Sequence, residues 1–250
     1  MQAMLKDSPY REEDRYARLR GYFGEFGCTG DRLTALTFER QNRHKVLVCT
    51  LPGAVDRKIL VTAWYPHADV LNGASDGWPE AVVLPMLYHA LQAQPRQFTF
   101  VFAALSGQHA LLNLLSQYRA AERSLPVVLV SVDVLGLGPP QFTVVPSDAV
   151  PAPVRPNADL VRTEAWRVAY LMHIDPRKTS VPSAYASTPM LSIPAFTPEG
   201  AKGIPGIIVY SSPIVQPGVS AAMTFSDFRL DHDFLGFYLC DLDRKLDGSL

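Results

Sequence analysis

Several things are scarce in this chain of 250 residues. It has three cysteines, Cys28, Cys49 and Cys240. An odd count without a short Cys-x-x-Cys spacing argues against a disulfide framework and a zinc ribbon, and leaves three buried or unremarkable thiols as the expectation. No apolar run approaches the roughly 18 residues that would suggest a membrane span. Neither sign of charge dominates, since the formal net charge is −1. No global field therefore draws the chain to nucleic acid or anionic lipid. The opening stretch, residues 1–14, is polar and charged, so no signal peptide is read there. A glycine-rich phosphate loop is also missing: Gly136–Leu137–Gly138 runs into Pro139–Pro140 and not into a helix.

What is present suits a folded α/β chain. Apolar residues make up 48% and charged residues 19%, which excludes a disordered composition. Tyr16, Leu19, Tyr22, Phe23 and Phe26 recur at helical spacing, which predicts a helix over 9–26 that stops at Gly27. Strands are expected at 34–40, 45–51, 58–65, 98–105, 125–134 and 205–212, with the 58–65 run apolar enough for burial on both faces. Helices are expected at 79–93, 108–121, 158–172 and 231–246. Strands alternating with helices predict a parallel sheet covered on both faces. Residues 139–205 hold 12 of the 21 prolines, so apart from one helix the stretch is expected to consist of loops, short strands or turns. This stretch is read as an excursion from a single domain spanning 1–250, because it has too few apolar runs for a core of its own.

In open parallel sheets, function sits beyond the carboxyl ends of the strands. Read at those ends, the segments follow an order. "VLVCTLPG" is followed by "KILVTAWYP", then "NGASDGWPEAVVLPMLYHAL", "FTFVFAALSGQHALL", "VVLVSVDVLG", "SIPAFTPEGAKGIPGIIVYSS" and "MTFSDF". That succession resembles the zinc-dependent aminopeptidase and glutaminyl cyclase family. The resemblance implies a three-layer α/β/α fold with a mostly parallel, mixed central sheet (aminopeptidase-like, of the phosphorylase/hydrolase-like architecture). It also implies where the family's metal ligands would fall. Asp76 matches the bridging acid and Asp133 the second acid. Trp64 stands where the first His is expected, and Ser106–Gly107 stand where a Glu-Glu pair is expected. Met223 stands for the last His, and Ile193 for the acid of a Ser-Asp-His stretch. Indole does not bind zinc in such sites and a thioether binds it poorly. The Glu that would serve as general base is absent with them.

Two catalytic alternatives remain open on the residues alone. His67–Ala68–Asp69 is itself a His-x-Asp, and His109 lies three residues beyond Ser106. A rearranged zinc site of His67, Asp76, His109 and Asp133 is one alternative. The other is a serine hydrolase using Ser106, whose strand-to-helix turn resembles a nucleophile elbow without its first and last glycines. Against these, Asp76 and Ser106 are at positions where helix caps are common. His67 and Asp69 read as loop residues, and His109 as a helix residue. The expectation is a catalytically inactive, degenerate member of the fold that acts as a binding or structural subunit. No cofactor is expected, with zinc only if the site is rearranged. Trp64, Tyr65, Trp78 and Met223 would line a vacant cleft suited to a protein partner or a peptide-like ligand. Compartment is left open between the cytoplasm and a trimmed exported domain.

Overall fold

The computed structural model describes residues 1–38, 44–65, 77–120, 126–145, 148, 150–175, 203–211 and 223–246. The apolar runs become strands. They are β1 (Leu33–Phe38), β2 (His44–Leu51), β3 (Val55–Trp64), β4 (Phe98–Leu105), β5 (Val128–Val132), β6 (Pro140–Val144) and β7 (Gly206–Ser211). They form one seven-stranded sheet in the order β1-β2-β4-β3-β5-β7-β6. The four central strands, β4, β3, β5 and β7, run parallel. β1 and β2 add antiparallel at one side, and β6 antiparallel at the other. β4 and β5 are buried along their whole length, as unbroken apolar segments in a doubly covered sheet must be.

The helices are α1 (Gln2–Lys6), α2 (Glu12–Glu25), α3 (Trp78–Gln92), α4 (Gln108–Ala120), α5 (Arg155–Leu171) and α6 (Phe225–Lys245). Side chains alternate across the strands, so each face meets its own helices. Leu47, Cys49, Val61, Phe102, Val130 and Val209 pack toward α2, α3, α5 and α6. Val46, Val48, Leu60, Val101 and Ala103 pack on Ala110, Leu111, Leu114 and Leu115 of α4. This is the mixed three-layer α/β/α arrangement expected from the sequence.

Four details differ from the sequence reading. Cys28 and Cys49 are not independent thiols: they form a disulfide between the turn after α2 and the middle of β2. A spacing of 21 residues carries no local signature, and only the docking of α2 on β2 brings the two sulfurs together. Cys240 is the free thiol among the described residues. β5 is shorter than the apolar run, ending at Val132 and leaving Asp133 just beyond it. α6 begins at Phe225, six residues before the apolar stripe suggested, because Thr224 caps it by accepting the Asp227 N–H at 3.1 Å. The helix α1 was not expected in the polar opening stretch, whereas β6, which lies against β7, is one of the short strands expected in the proline-rich stretch.

Candidate functional site

Because β3, β4, β5 and β7 are parallel, their carboxyl ends share one edge of the sheet. Tyr65, Ser106, Asp133 and Ser211 stand there. Asp133 is almost fully buried, and its backbone N–H donates to Val209 O at 2.9 Å, continuing the β5–β7 ladder by one residue. Among the described residues its Oδ2 meets no hydrogen-bond partner. Burial pushes its carboxyl up to about 7, although the Val134 N–H works in the opposite direction.

The chain after Asp133 turns sharply. Val134 adopts φ +43°, a strained conformation for a β-branched residue, and Gly136 adopts φ +79°. At Gly136 a Cβ would lie 2.5 Å from Met223 Cγ, so a side chain there would have to displace that exposed methionine as well as adopt a positive φ. Side chains from two helices hold this turn. Glu80, in the first turn of α3, accepts the Leu135 N–H at 2.6 Å. Asp231 on α6 accepts the Gly136 N–H at 2.7 Å and the hydroxyl of Ser211 at the end of β7. Main-chain bonds complete the clamp: Ser211 N–H donates to Val134 O, and Thr224 N–H to Gly136 O. Asp231 Oδ1 has no hydrogen-bond partner among the described residues. Burial raises Asp231 to about 8; Ser211 and Gly136 oppose the rise, and Asp227 and Glu80 add to it by repulsion.

The remaining candidates are placed as follows. Ser106 is tied to β2: its Oγ accepts the Lys45 N–H at 2.8 Å and its own N–H donates to Lys45 O at 3.0 Å. That pairing extends the β2–β4 ladder. His109 is exposed in the first turn of α4. Trp64 is half-buried at the end of β3, and Met223 is partly exposed beside Gly136. Tyr65 is buried, its carbonyl accepting from Arg15 Nη1 at 3.3 Å, while its hydroxyl reaches no partner in hydrogen-bonding geometry among the described residues. Burial and the nearby Glu12 raise the Tyr65 phenol well above its ordinary value, although Ser106 opposes the rise. Trp78 is enclosed: its indole N–H donates to Met4 O at 2.8 Å and the Arg15 guanidinium lies over its ring. His67, Asp69, Asp76 and Ile193 lie outside the described residues.

A zinc site of the expected kind needs nitrogen ligands beside its acids. The acids around this turn, Glu80, Asp133 and Asp231, bring none. Among the described residues no three His, Cys, Asp or Glu side chains stand where they could hold a metal. The described residues therefore do not fit a di-zinc donor set.

Glu80, Ser211 and Asp231 were not singled out from the sequence, yet two of them carry a readable signal. Asp231 interrupts the apolar stripe of Phe228, Phe234, Leu235 and Tyr238 on α6, and Glu80 sits in a helix buried on nearly all sides. An acid at a core position must find donors inside the protein. Ser211 carries no comparable mark.

No protein-family model matches this chain, and no curated protein sequence matches it. Its fold is similar to that of solved structures. A glutaminyl cyclase from an Acidobacteriales bacterium aligns with 98% of this chain and 92% of its own, at 10% identity and a TM-score of 0.64. The LapA aminopeptidase of Legionella pneumophila aligns with 98% of this chain and 70% of its own, at 10% identity and a TM-score of 0.59. BSAP, a zinc aminopeptidase from Bacillus subtilis, aligns with 85% of this chain and 53% of its own, at 13% identity and a TM-score of 0.53. At these identities the likeness establishes the fold and nothing finer.

Proposed function

We propose that residues 1–250 form one aminopeptidase-like domain without peptidase activity, serving as a binding or structural subunit, with 139–205 as its excursion. One observation carries this reading: two of the three acids around the turn after β5 are committed to the polypeptide itself, while the third, Asp133, is buried beside them. Glu80 and Asp231 accept main-chain N–H groups of the turn after Asp133. Ser106 Oγ accepts a main-chain N–H of β2. A carboxylate that activates a metal-bound water must face the substrate, whereas these two face a buried turn. By the resemblance in segment order, Trp64, Ser106 and Met223 would stand where the aminopeptidase and glutaminyl cyclase chemistry needs nitrogen and carboxylate donors, which supports the same reading. The partner in this reading is a protein or a peptide-like ligand.

The test is metal analysis of the purified protein beside aminopeptidase and glutaminyl cyclase assays, each with and without added zinc. We expect substoichiometric zinc and no turnover above the uncatalysed rate. Stoichiometric zinc with chelator-sensitive turnover would overturn the reading in favour of a site that recruits His67 and Asp76. Turnover indifferent to chelator but abolished by Ser106→Ala would overturn it in favour of a serine hydrolase.

A further inference from the structure

The two margins of the sheet are protected unequally. β6 begins with Pro140, is buried at its start, and is covered by α5, where the Phe142 and Trp166 rings meet edge to face at 5.2 Å. Among the described residues, β1 at the opposite margin has none of these protections. Its sequence, Leu33-Thr34-Ala35-Leu36-Thr37-Phe38, contains no charge, no proline and no glycine. Thr34, Ala35 and Thr37 are exposed, and Leu36 and Phe38 are half-buried.

The ladder fixes which backbone groups of β1 face outward. Lys45 on β2 turns both its N–H and its C=O toward Ser106, on the β4 side. Within a strand, the N–H and C=O of one residue point the same way, and those of its neighbours point the other way. Lys45 is opposite Thr37, so Thr37 receives no ladder bond from it. It follows that Thr34, Leu36 and Phe38 bond to β2, while Ala35 and Thr37 direct their N–H and C=O away from the sheet. Leu33 N–H is already used, on Gly30 O. Among the described residues no strand pairs with this outer side.

We propose that β1 is the interface for a second copy of this chain, pairing antiparallel with its equivalent about a two-fold axis at Leu36. Residues opposite each other in an antiparallel pair lie on the same face, so a symmetric pairing must be centred on a residue. Centring on Leu36 sets Ala35 against Thr37 of the other copy, twice. Every outward N–H and C=O of Ala35 and Thr37 then finds a partner. The half-buried Leu36 meets its own equivalent, and Thr34 meets Phe38, which covers apolar surface on the face that carries α4. A second copy suits this edge because the pairing is self-complementary in register and needs no side-chain pocket; the grooves lined by Pro95, Arg96 and Asp243 and by Asp7, Asp14 and Arg18 lie on other elements. The edge also lacks the lysine, proline or bulge with which monomeric sheets prevent self-pairing.

The experiment is sedimentation and light scattering of the full chain, from micromolar concentrations to about 1 mM, the weak limit of specific association. A monomer–dimer equilibrium is expected in that range. Ala35→Pro removes only an outward N–H, so it should abolish the dimer while leaving the melting temperature within a few degrees of wild type. Leu36→Lys and Leu36→Glu should each be monomeric alone and should dimerise when mixed, because opposite charges then face across the axis. If Ala35→Pro does not fold, the mixing experiment decides. A protein that stays monomeric throughout, or a dimer that survives both Ala35→Pro and Leu36→Lys, would overturn the proposal. So would an extended peptide binding this edge while the chain does not self-associate.

Discussion

At the residue scale, the notable groups are two acids that the fold prefers to keep protonated. Asp133 and Asp231 have ordinary values of 3.8 and are raised by burial to about 7 and about 8. Below pH about 4 the folded and unfolded chains both hold these protons, and neither acid costs stability. As pH rises, the unfolded chain releases the protons first. Each group then removes up to about 1.4 kcal/mol per pH unit, until its folded value is passed. Stability should therefore fall between pH 5 and 8. Glu164 is shifted the other way, despite its burial, by Lys245 and Arg167; its effect lies below that window. Asp231→Asn keeps the shape and an oxygen for the Gly136 N–H, so urea midpoints of that variant should fall less steeply from pH 5 to 8 than wild type. An equal slope would mean that Asp231 titrates normally. Asp133 was legible as a strand-end acid from its place after an apolar run. The use of Glu80 and Asp231 was not, because nothing local to either residue points to the turn it clamps.

At the element scale, α6 and the α2–β2 junction show how local and distant signals divide. Thr224 and Asp227 form a cap three residues apart, a pattern present in the sequence but masked by the stronger apolar stripe that begins later. Thr224→Ala should cost about 1 kcal/mol by thermal or urea unfolding. It should also loosen the Gly136 turn, whose carbonyl accepts the Thr224 N–H. A loss below a few tenths of a kcal/mol would show that the cap is dispensable. The disulfide acts over a longer reach. Cys28 and Cys49 close a loop of 21 residues that contains β1. Cross-linking such a loop stabilises by about 3 kcal/mol, chiefly by restricting the unfolded chain. Reduction, or Cys28→Ser with Cys49→Ser, should lower the urea midpoint accordingly. It should also free the turn after α2 to exchange its amides faster. Unchanged stability under reductant would mean that the bridge does not form in solution.

For the molecule as a whole, the sheet order and the unequal margins were decided by packing. The run of strands and helices, the burial of β4 and β5 and the α/β class could all be read from apolar periodicity, because burial on two faces demands unbroken apolar strands. The ordered resemblance to aminopeptidases and glutaminyl cyclases likewise pointed to the fold that the solved structures share with this chain. Charge balance and the lack of long apolar runs were compositional, and no helix among the described residues is long and apolar enough to cross a membrane. What only the tertiary structure decided was which distant groups meet. Cys28 reaches Cys49, Glu80 and Asp231 converge on the turn after Asp133, and Ser106 is drawn into the β2 ladder. The outward face of Ala35 and Thr37 follows from the same ladder. The reason is physical: periodicity along a chain reports what each residue must hide from water, a property it carries alone. A hydrogen bond, a disulfide or a free sheet edge depends on the register between segments, and that register exists only once the layers have packed.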